Sequence, residues 1–405
     1  MALLPVADAR QQILDGISPL PLEMVRLVDA HMRIAAAPLR ANRTQPPFDA
    51  SAMDGYAVRH ADLTSDGQTL RVVSEIAAGS SYSEKLGTGE ATRIFTGAPL
   101  PDGADTILIQ EDAHEFEPGF IQPTEIPRPG AFVRKAGLDF SQGDELISRF
   151  TKLNAVDIAL LASMNHPDVP VIRKPRIGVL ATGDELVMPG ETIGKDQIVA
   201  SNNFGIAARI AELGGLPIRL GIASDSKHSL SNALFQAQEE QCDAIVTLGG
   251  ASVGTHDLVQ ETFKDAGLDL AFWKIAMRPG KPLMFGKIDG MVFLGFPGNP
   301  VSSMVCAELF LGPLVNAWLG QPTEIKFVKA QVTHKLCAND QREDYLRAHI
   351  TLDRNSMQLP KVSAMNRQDS SMLALFRNAN ALLMRQPFAS EAPVGSLVDV
   401  LVLRD

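Results

Sequence analysis

The sequence predicts a multidomain α/β protein: a doubly wound α/β domain, an inserted β module, an N-terminal helical linker domain and a small C-terminal β domain. Three observations carry this. Residues 175–320 alternate apolar runs with amphipathic stretches at the spacing of βα units. Residues 45–138 hold short β-rich runs cut by Pro and Gly, and residues 321–405 hold further strand-like runs. With 405 residues, 45% of them hydrophobic and 21% charged, the chain is long enough for several folding units and too apolar for a disordered one.

Taken in order, residues 1–44 read as helical, with Val25, Leu27, Val28 and Met32 in a run that follows the break at Pro19, Leu20 and Pro21. Together with 139–174 they make a discontinuous helical linker domain. The β module at 45–138 shows strand-like runs at 70–76, 92–95, 106–110 and 120–122. A helix is predicted over 152–164, with Val156, Ala159, Leu160 and Ser163 along one side. In the α/β domain, strands are expected at 177–181, 217–222 and 244–248, and helices at 203–213 and 230–240. The C-terminal domain has runs at 327–332, 345–352, 381–384 and 397–403.

The formal charge of -10 argues against a protein that binds the nucleic acid backbone, since nothing overall would replace released counterions. Cys242, Cys306 and Cys337 are far apart, without the pairing of a disulfide framework or a cysteine zinc site. No secretory signal is apparent at the N-terminus, and the apolar stretch 290–307 is broken by Phe296-Pro297-Gly298-Asn299-Pro300. These features predict a cytoplasmic protein without a membrane span.

Three expected strand ends carry polar turns: Thr182-Gly183-Asp184-Glu185, Ser224-Asp225-Ser226, and the run from Gly249 and Gly250 through Ser252 and Gly254 to Asp257. In a doubly wound sheet these open on one edge, where ligands bind. Glycine lets backbone approach a phosphate, while carboxylates beside it would repel that phosphate unless a hard cation sits between them. One such turn is ordinary loop chemistry; three on one edge suggest a phosphate or nucleotide site with Mg2+. Gly178 to Asp184 has the glycine spacing of a Walker A loop, but Asp184 and Glu185 stand where Lys and Ser/Thr belong, which excludes it. Gly250-Ala251-Ser252-Val253-Gly254 matches a nucleophile elbow, with His334 or His349 as a permitted partner. Against a hydrolase, the next helix starts only near His256, and no His-Gly oxyanion motif lies upstream.

Lys274, Arg278 and Lys281 surround a Pro-Gly turn, and Pro297-Gly298-Asn299-Pro300-Val301-Ser302 precedes an apolar helix whose first position suits Pro300. Both turns suit an oxyanion, although solvated charges and a strand-to-helix stop would look the same. In the β module, Asp54 and Thr96 each stand directly before a glycine and by composition are turn residues.

In order and spacing, the segments 46–58, 95–99, 182–186, 249–254, 274–282 and 297–302 resemble the signature motifs of the molybdopterin molybdenumtransferase family, the MoeA or gephyrin E-domain family. The resemblance covers essentially the whole chain. It implies that the α/β domain is a molybdopterin-binding domain. It further implies an enzyme that takes adenylylated molybdopterin and molybdate, inserts the metal into the pterin dithiolene and releases AMP with Mg2+. A homodimer is implied, its cleft lying between the α/β domain of one subunit and the β module of the other, with transient contacts to other proteins of molybdenum cofactor biosynthesis.

Carried over by residue, Asp54 and Thr96 reach the cleft from the partner, while Glu185, Asp225 and Asp257 hold Mg2+ and the adenylyl phosphate. Lys274, Arg278 and Lys281 hold pyrophosphate or molybdate, and Ser302, Arg342, Arg347, Arg367 and Ser371 close the pocket. Arg278 stands where the family usually has lysine, which keeps the charge but exchanges a compact ammonium for a planar fork. Rival readings are an adenylyltransferase or nucleotide pyrophosphatase on the same α/β module, or a scaffold; the Asp54 motif favours the first reading over the rival enzymes, and the lack of a second catalytic domain or long linker disfavours a scaffold.

Overall fold

Runs of β-branched and aliphatic residues set the sheets of this protein. A computed structural model describes residues 3–63, 68–250, 258–351 and 358–404. The chain divides into two compact units, one of residues 23–171 and one of residues 1–22 with 172–405.

In the 23–171 unit a six-stranded sheet runs in the order Thr106–Ile109, Gly55–Val58, Glu90–Ile94, Leu70–Ile76, Phe120–Pro123, Ala113–Glu117. Leu70–Ile76 and Glu90–Ile94 pair in parallel, and the other neighbours are antiparallel. Alternating side chains pack on both faces: Val58, Leu70, Leu108 and Ile121 in one cluster, and Ala57, Ile76, Ile94 and Ile107 in another. The strand runs read from the sequence match these elements within two residues.

The helical reading of the first 44 residues is corrected. Among the described residues of this stretch only Val6–Leu14 is α-helical; Leu22–Arg26 is a strand, and Leu27–Asp29 a single 3-10 turn. Alternation of exposed and half-buried positions through Leu22–Arg26 has the period of a strand, so Val25 and Leu27 pack by tertiary context and not on a helical stripe. Residues 3–22 also group with the 172–405 unit: the Ala276 N–H donates to the Leu4 carbonyl at 2.7 Å, and the Leu20 N–H to that of Trp318 at 2.8 Å. The helix predicted over 152–164 is present as Ala155–Ser163, started by Asn154 and Asp157 in a reciprocal capping box. Its buried residue is Leu161, whereas Val156 is 75% exposed, so the packed face is rotated from the expected one.

The second unit holds the doubly wound sheet. Its order is Leu216–Ala223, Arg176–Thr182, Ala244–Leu248, Met291–Phe296, Met284–Ile288, Asp269–Phe272. The first four strands are parallel and the last two antiparallel. Ala244–Leu248 is buried along its whole length, as a central parallel strand covered on both faces must be. The chain leaves Arg176–Thr182 toward one neighbour and later returns to its other side, which puts a topological switch point between Arg176–Thr182 and Ala244–Leu248.

After the last parallel strand the chain is helical from Pro300 to Trp318. Among the described residues this is the one helix long and apolar enough to cross a bilayer, with mean hydropathy 1.3, and most of it is buried in the protein. Its middle, Ala307–Leu311, is a π-turn in which the Gly312 N–H reaches back to Ala307 O. Pro313 follows at once and has no N–H to continue the α-helical ladder, which accounts for the local widening.

In the C-terminal domain Glu343–Thr351 pairs with both Lys361–Ala364 and Ala381–Arg385. Lys361–Ala364 pairs onward with Val328–Val332, then Leu397–Val402, then Ala381–Arg385, so the five strands close into a barrel around Ala330, Ala348, Val362 and Leu383. Met277–Arg278 adds to this barrel as a short parallel partner of Glu343 and Asp344.

Candidate active site

At the switch point the ends of Arg176–Thr182 and Ala244–Leu248 open on a cleft of about 590 Å³. Thr182 and Glu185 line it from one strand end, Leu248, Gly249 and Gly250 from the other, and Pro297 to Pro300 from the start of the long helix. Ser371, from the C-terminal domain, completes the wall.

Glycine is required where the acidic turn folds back. Gly183 has φ +142°, and a Cβ there would lie 2.4 Å from a Glu185 carboxylate oxygen. The next turn is tied to it, because the Asp225 N–H donates to Asp184 Oδ1 at 3.0 Å. Desolvation, with the negative charges of Asp184 and Glu185 added, raises the Asp225 carboxyl above its ordinary value. Across the cleft Gly249, at φ +102°, presses on the Thr182 carbonyl, where a Cβ would meet that oxygen at 2.7 Å. Gly298 lies against Gly249, so the helix start closes directly on the strand end.

Asp184 is thus joined to the 225 turn, and Asp184 and Glu185 are both close enough for their charges to act on Asp225. Among the described residues no group of three His, Cys, Asp or Glu side chains is placed to enclose a metal. The donor set fits Mg2+, which is commonly held by one or two carboxylates with the rest of its shell from substrate phosphates and water. Asp257, Ser252 and Gly254 lie outside the described residues, and with them the nucleophile-elbow segment; the helix after it is Leu258–Asp265.

The cationic turn is brought beside the C-terminal barrel. Gly280 has φ +109°, and a Cβ there would overlap Met277. The Lys281 carbonyl accepts from the N–H groups of Ile275 and Leu283 at 3.0 and 3.1 Å, while its ammonium is exposed and has no partner among the described residues. Lys274 Nζ sits 3.7 Å over the Trp273 ring. Arg278 turns instead toward the barrel, onto Asp340, Asn339 and Asp344. Arg342 also bonds Asp340, at 2.8 Å, and its hydrogen bonds hold that carboxyl down at about 2.

Arg347 is 1% exposed. Its guanidinium donates to the main-chain carbonyls of Asp369 at 2.7 Å and Arg367 at 3.4 Å, so it supports the 367–371 loop from beneath and does not face the cleft. That loop reaches the site through its other face. Asp369 accepts from the Ser371 hydroxyl at 2.7 Å, the Ser370 hydroxyl accepts from Asn299 Nδ2 at 2.9 Å, and the Ser370 carbonyl accepts from the Val301 N–H. The Arg367 side chain is exposed, and Ser302 is buried within the helix start.

Sequence reasoning missed the segment Ile198 to Asn203, which forms a wall of the cleft; Asn202 donates to the Gly298 carbonyl. The consecutive Asn202 and Asn203 before an apolar helical stretch were the available signal.

In the other unit, Asp54 and Thr96 meet across adjacent strand ends. Asp54 Oδ1 accepts from the Thr96 N–H at 2.7 Å and from its hydroxyl at 2.8 Å, and these bonds lower the Asp54 carboxyl below its ordinary 3.8. The glycines after them are structural: a Cβ on Gly55 would fall 2.2 Å from Leu108 O, and Gly97 has φ +83°. Replacing Thr96 with alanine is expected to raise the Asp54 carboxyl only part of the way back, since the larger cause, the backbone N–H, remains; carboxyl NMR titration checks this.

A doubly wound domain with its cleft at the switch point, joined to a closed β barrel, defines a multidomain α/β protein that holds its ligand at the carboxyl ends of the parallel strands. Residues 178–317 match the family model of a probable molybdopterin binding domain, 4–165 that of the MoeA N-terminal region (domain I and II), and 329–403 that of the MoeA C-terminal region (domain IV). The chain is 33% identical over 401 residues to a molybdopterin molybdenumtransferase of Haemophilus influenzae, covering 98% of each chain. It is 34% identical to one of Nostoc, covering 99% of this chain and 91% of that one. A solved molybdopterin biosynthesis moea protein from Pyrococcus horikosii superposes with a TM-score of 0.85 at 30% identity, over the full length of both chains. The chain belongs to the molybdopterin molybdenumtransferase family.

Proposed function

We propose that this protein is a cytoplasmic, homodimeric, Mg2+-dependent molybdopterin molybdenumtransferase, which takes adenylylated molybdopterin and molybdate, inserts the metal into the pterin dithiolene and releases AMP. The reading rests on one observation: a glycine-edged cleft at the switch point, lined by Glu185, faces a helix start, with Lys281, unpaired among the described residues, on the adjoining turn. The backbone N–H of Gly250 and the Asn299–Pro300 start of the long helix are suited to phosphate oxygens, whereas the Gly249 N–H is already given to the Phe296 carbonyl at 3.2 Å. Glu185 and Asp225, with Asp257, would hold Mg2+, which when bound neutralises the phosphoanhydride and makes AMP a better leaving group.

Lys281 supplies a charge for molybdate, and orientation beside the dithiolate lowers the entropic part of the barrier. Asp54 and Thr96 are assigned to the same cleft from the partner subunit, and other proteins of molybdenum cofactor biosynthesis are assigned as transient partners. AMP release that requires both molybdate and adenylylated pterin is the test. Release without molybdate would favour a pyrophosphatase, and no release with both present would remove the reading.

Loss of one charge-assisted contact costs roughly 1.5–3 kcal/mol, or about 10- to 100-fold in affinity. Lys281→Ala is therefore expected to raise the molybdate requirement by that factor while pterin binding changes little. An unchanged molybdate dependence would remove Lys281 from the anion site.

A further inference from the structure

We propose that Arg278 is a positioning residue that clamps the cationic turn to the C-terminal barrel, and not a ligand of the substrate anion. The inference rests on the transferase reading for its functional consequence, but the clamp itself is a matter of geometry. Met277 and Arg278 lie opposite Glu343 and Asp344 in a two-residue parallel pairing, so the turn that carries Lys281 is already an edge of the barrel. The guanidinium then spans three acceptors: Asp344 Oδ2, Asp340 Oδ2 at 3.2 Å and Asn339 Oδ1 at 3.2 Å.

Asp344 is 3% exposed, and its other oxygen has no hydrogen-bond partner. Among the described residues Arg278 is the only side chain that pairs directly with this buried carboxylate, with the Arg342 charge a smaller support. Asn339 is itself fixed, its amide donating to the carbonyls of Arg342, Arg385 and Gln386. Three of the five guanidinium N–H groups are thereby directed to the barrel, whereas Lys281, three residues on, has no partner among the described residues. The planar fork explains why arginine suits this position, because an ammonium cannot hold three acceptors in that arrangement.

The test compares Arg278→Ala, Asp344→Asn, the double variant and Arg278→Lys in the full-length protein, with two readouts: molybdate half-saturation of AMP release, and amide hydrogen exchange over 274–283 and 339–345. If Arg278 acts through Asp344, each single variant raises half-saturation about tenfold and speeds exchange in both segments, and the double variant is no worse than either single one. Arg278→Lys keeps the charge and retains most of the defect. The clamp is overturned if Asp344→Asn leaves molybdate half-saturation unchanged or lowers it while Arg278→Ala raises it, since that describes a direct anion ligand. It is equally overturned if lysine rescues fully, or if exchange is unaffected in every variant. Should Asp344→Asn fail to fold, Asp340→Asn on the exposed side of the clamp takes its place with the same expectations. A wild-type protein without molybdate-dependent AMP release would defeat the transferase reading, while the exchange data would still decide the clamp.

Discussion

Asp225→Asn is expected to lose turnover by about a hundredfold or more, the scale of removing one preorganised electrostatic group, and yet to make the metal-free protein more stable at neutral pH. Both effects have one cause. Desolvation and the charges of Asp184 and Glu185 raise the Asp225 carboxyl, so the folded protein holds its ionised form at a cost. The sign follows from linkage. Between the ordinary value of 3.8 and the raised folded value, the native state binds more protons than the unfolded one, so stability falls as pH rises through that window and stays lower above it.

Asparagine removes the repulsion, and because Asp184 is bonded by the main-chain N–H of residue 225, the turn itself survives the change. Thermal unfolding with and without Mg2+, beside AMP release, measures the two effects. Wild type should gain stability from Mg2+ by mass action, and the variant should gain much less. A variant that melts lower than wild type without metal, or that keeps wild-type turnover, would place Asp225 outside the metal site.

Much of this architecture was legible because it repeats with a short period. Ala244–Leu248 is legible to the residue as a short buried run bounded by turn residues, and Leu70–Ile76 as a β-rich run around Val72 and Val73 of which only the two ends are buried. Leu22–Arg26 was misread: five residues that include Val25 offer too little length to separate a period of 2 from one of 3.6, and the preceding prolines suit the start of either element. The acidic and glycine turns of the cleft were legible because a close backbone approach requires glycine, as Gly183 and Gly249 show.

What sequence could not supply was direction. Arg278, Lys281 and Arg347 are alike as cations in a motif. One is committed to carboxylates, one is unpaired among the described residues and one is buried under a loop, a difference that arises only when the Met277–Arg278 edge joins the barrel and the 367–371 loop folds over Arg347.

Mixing Asp54→Ala subunits with Glu185→Ala subunits, each inactive alone, is expected to restore activity to about a quarter of wild type. The figure follows from the two-fold symmetry of the proposed homodimer: random exchange would make about half the dimers mixed, each with one of its two clefts intact. The expectation arises from where the two residues lie. Asp54, bonded to Thr96, belongs to the 23–171 unit, and Glu185 folds over Gly183 in the other unit. Asp54 is displayed at a strand end with its carboxyl lowered by two hydrogen bonds, so it is ionised at neutral pH and available to a cleft that its own sheet does not contain.

Asp54→Ala removes that carboxylate without touching Gly55, and Glu185→Ala leaves Gly183 free to turn, so both variants should fold. A mixture of Asp54→Ala with Thr96→Ala is the control: both lesions fall on the same side of every cleft, and no arrangement of subunits repairs it. Exchange is verified by native mass spectrometry of differently tagged subunits before activity is read. Mixed dimers that form and remain inactive would mean that each cleft is built within one chain, and Asp54 and Thr96 would then act on the Glu185 of their own subunit.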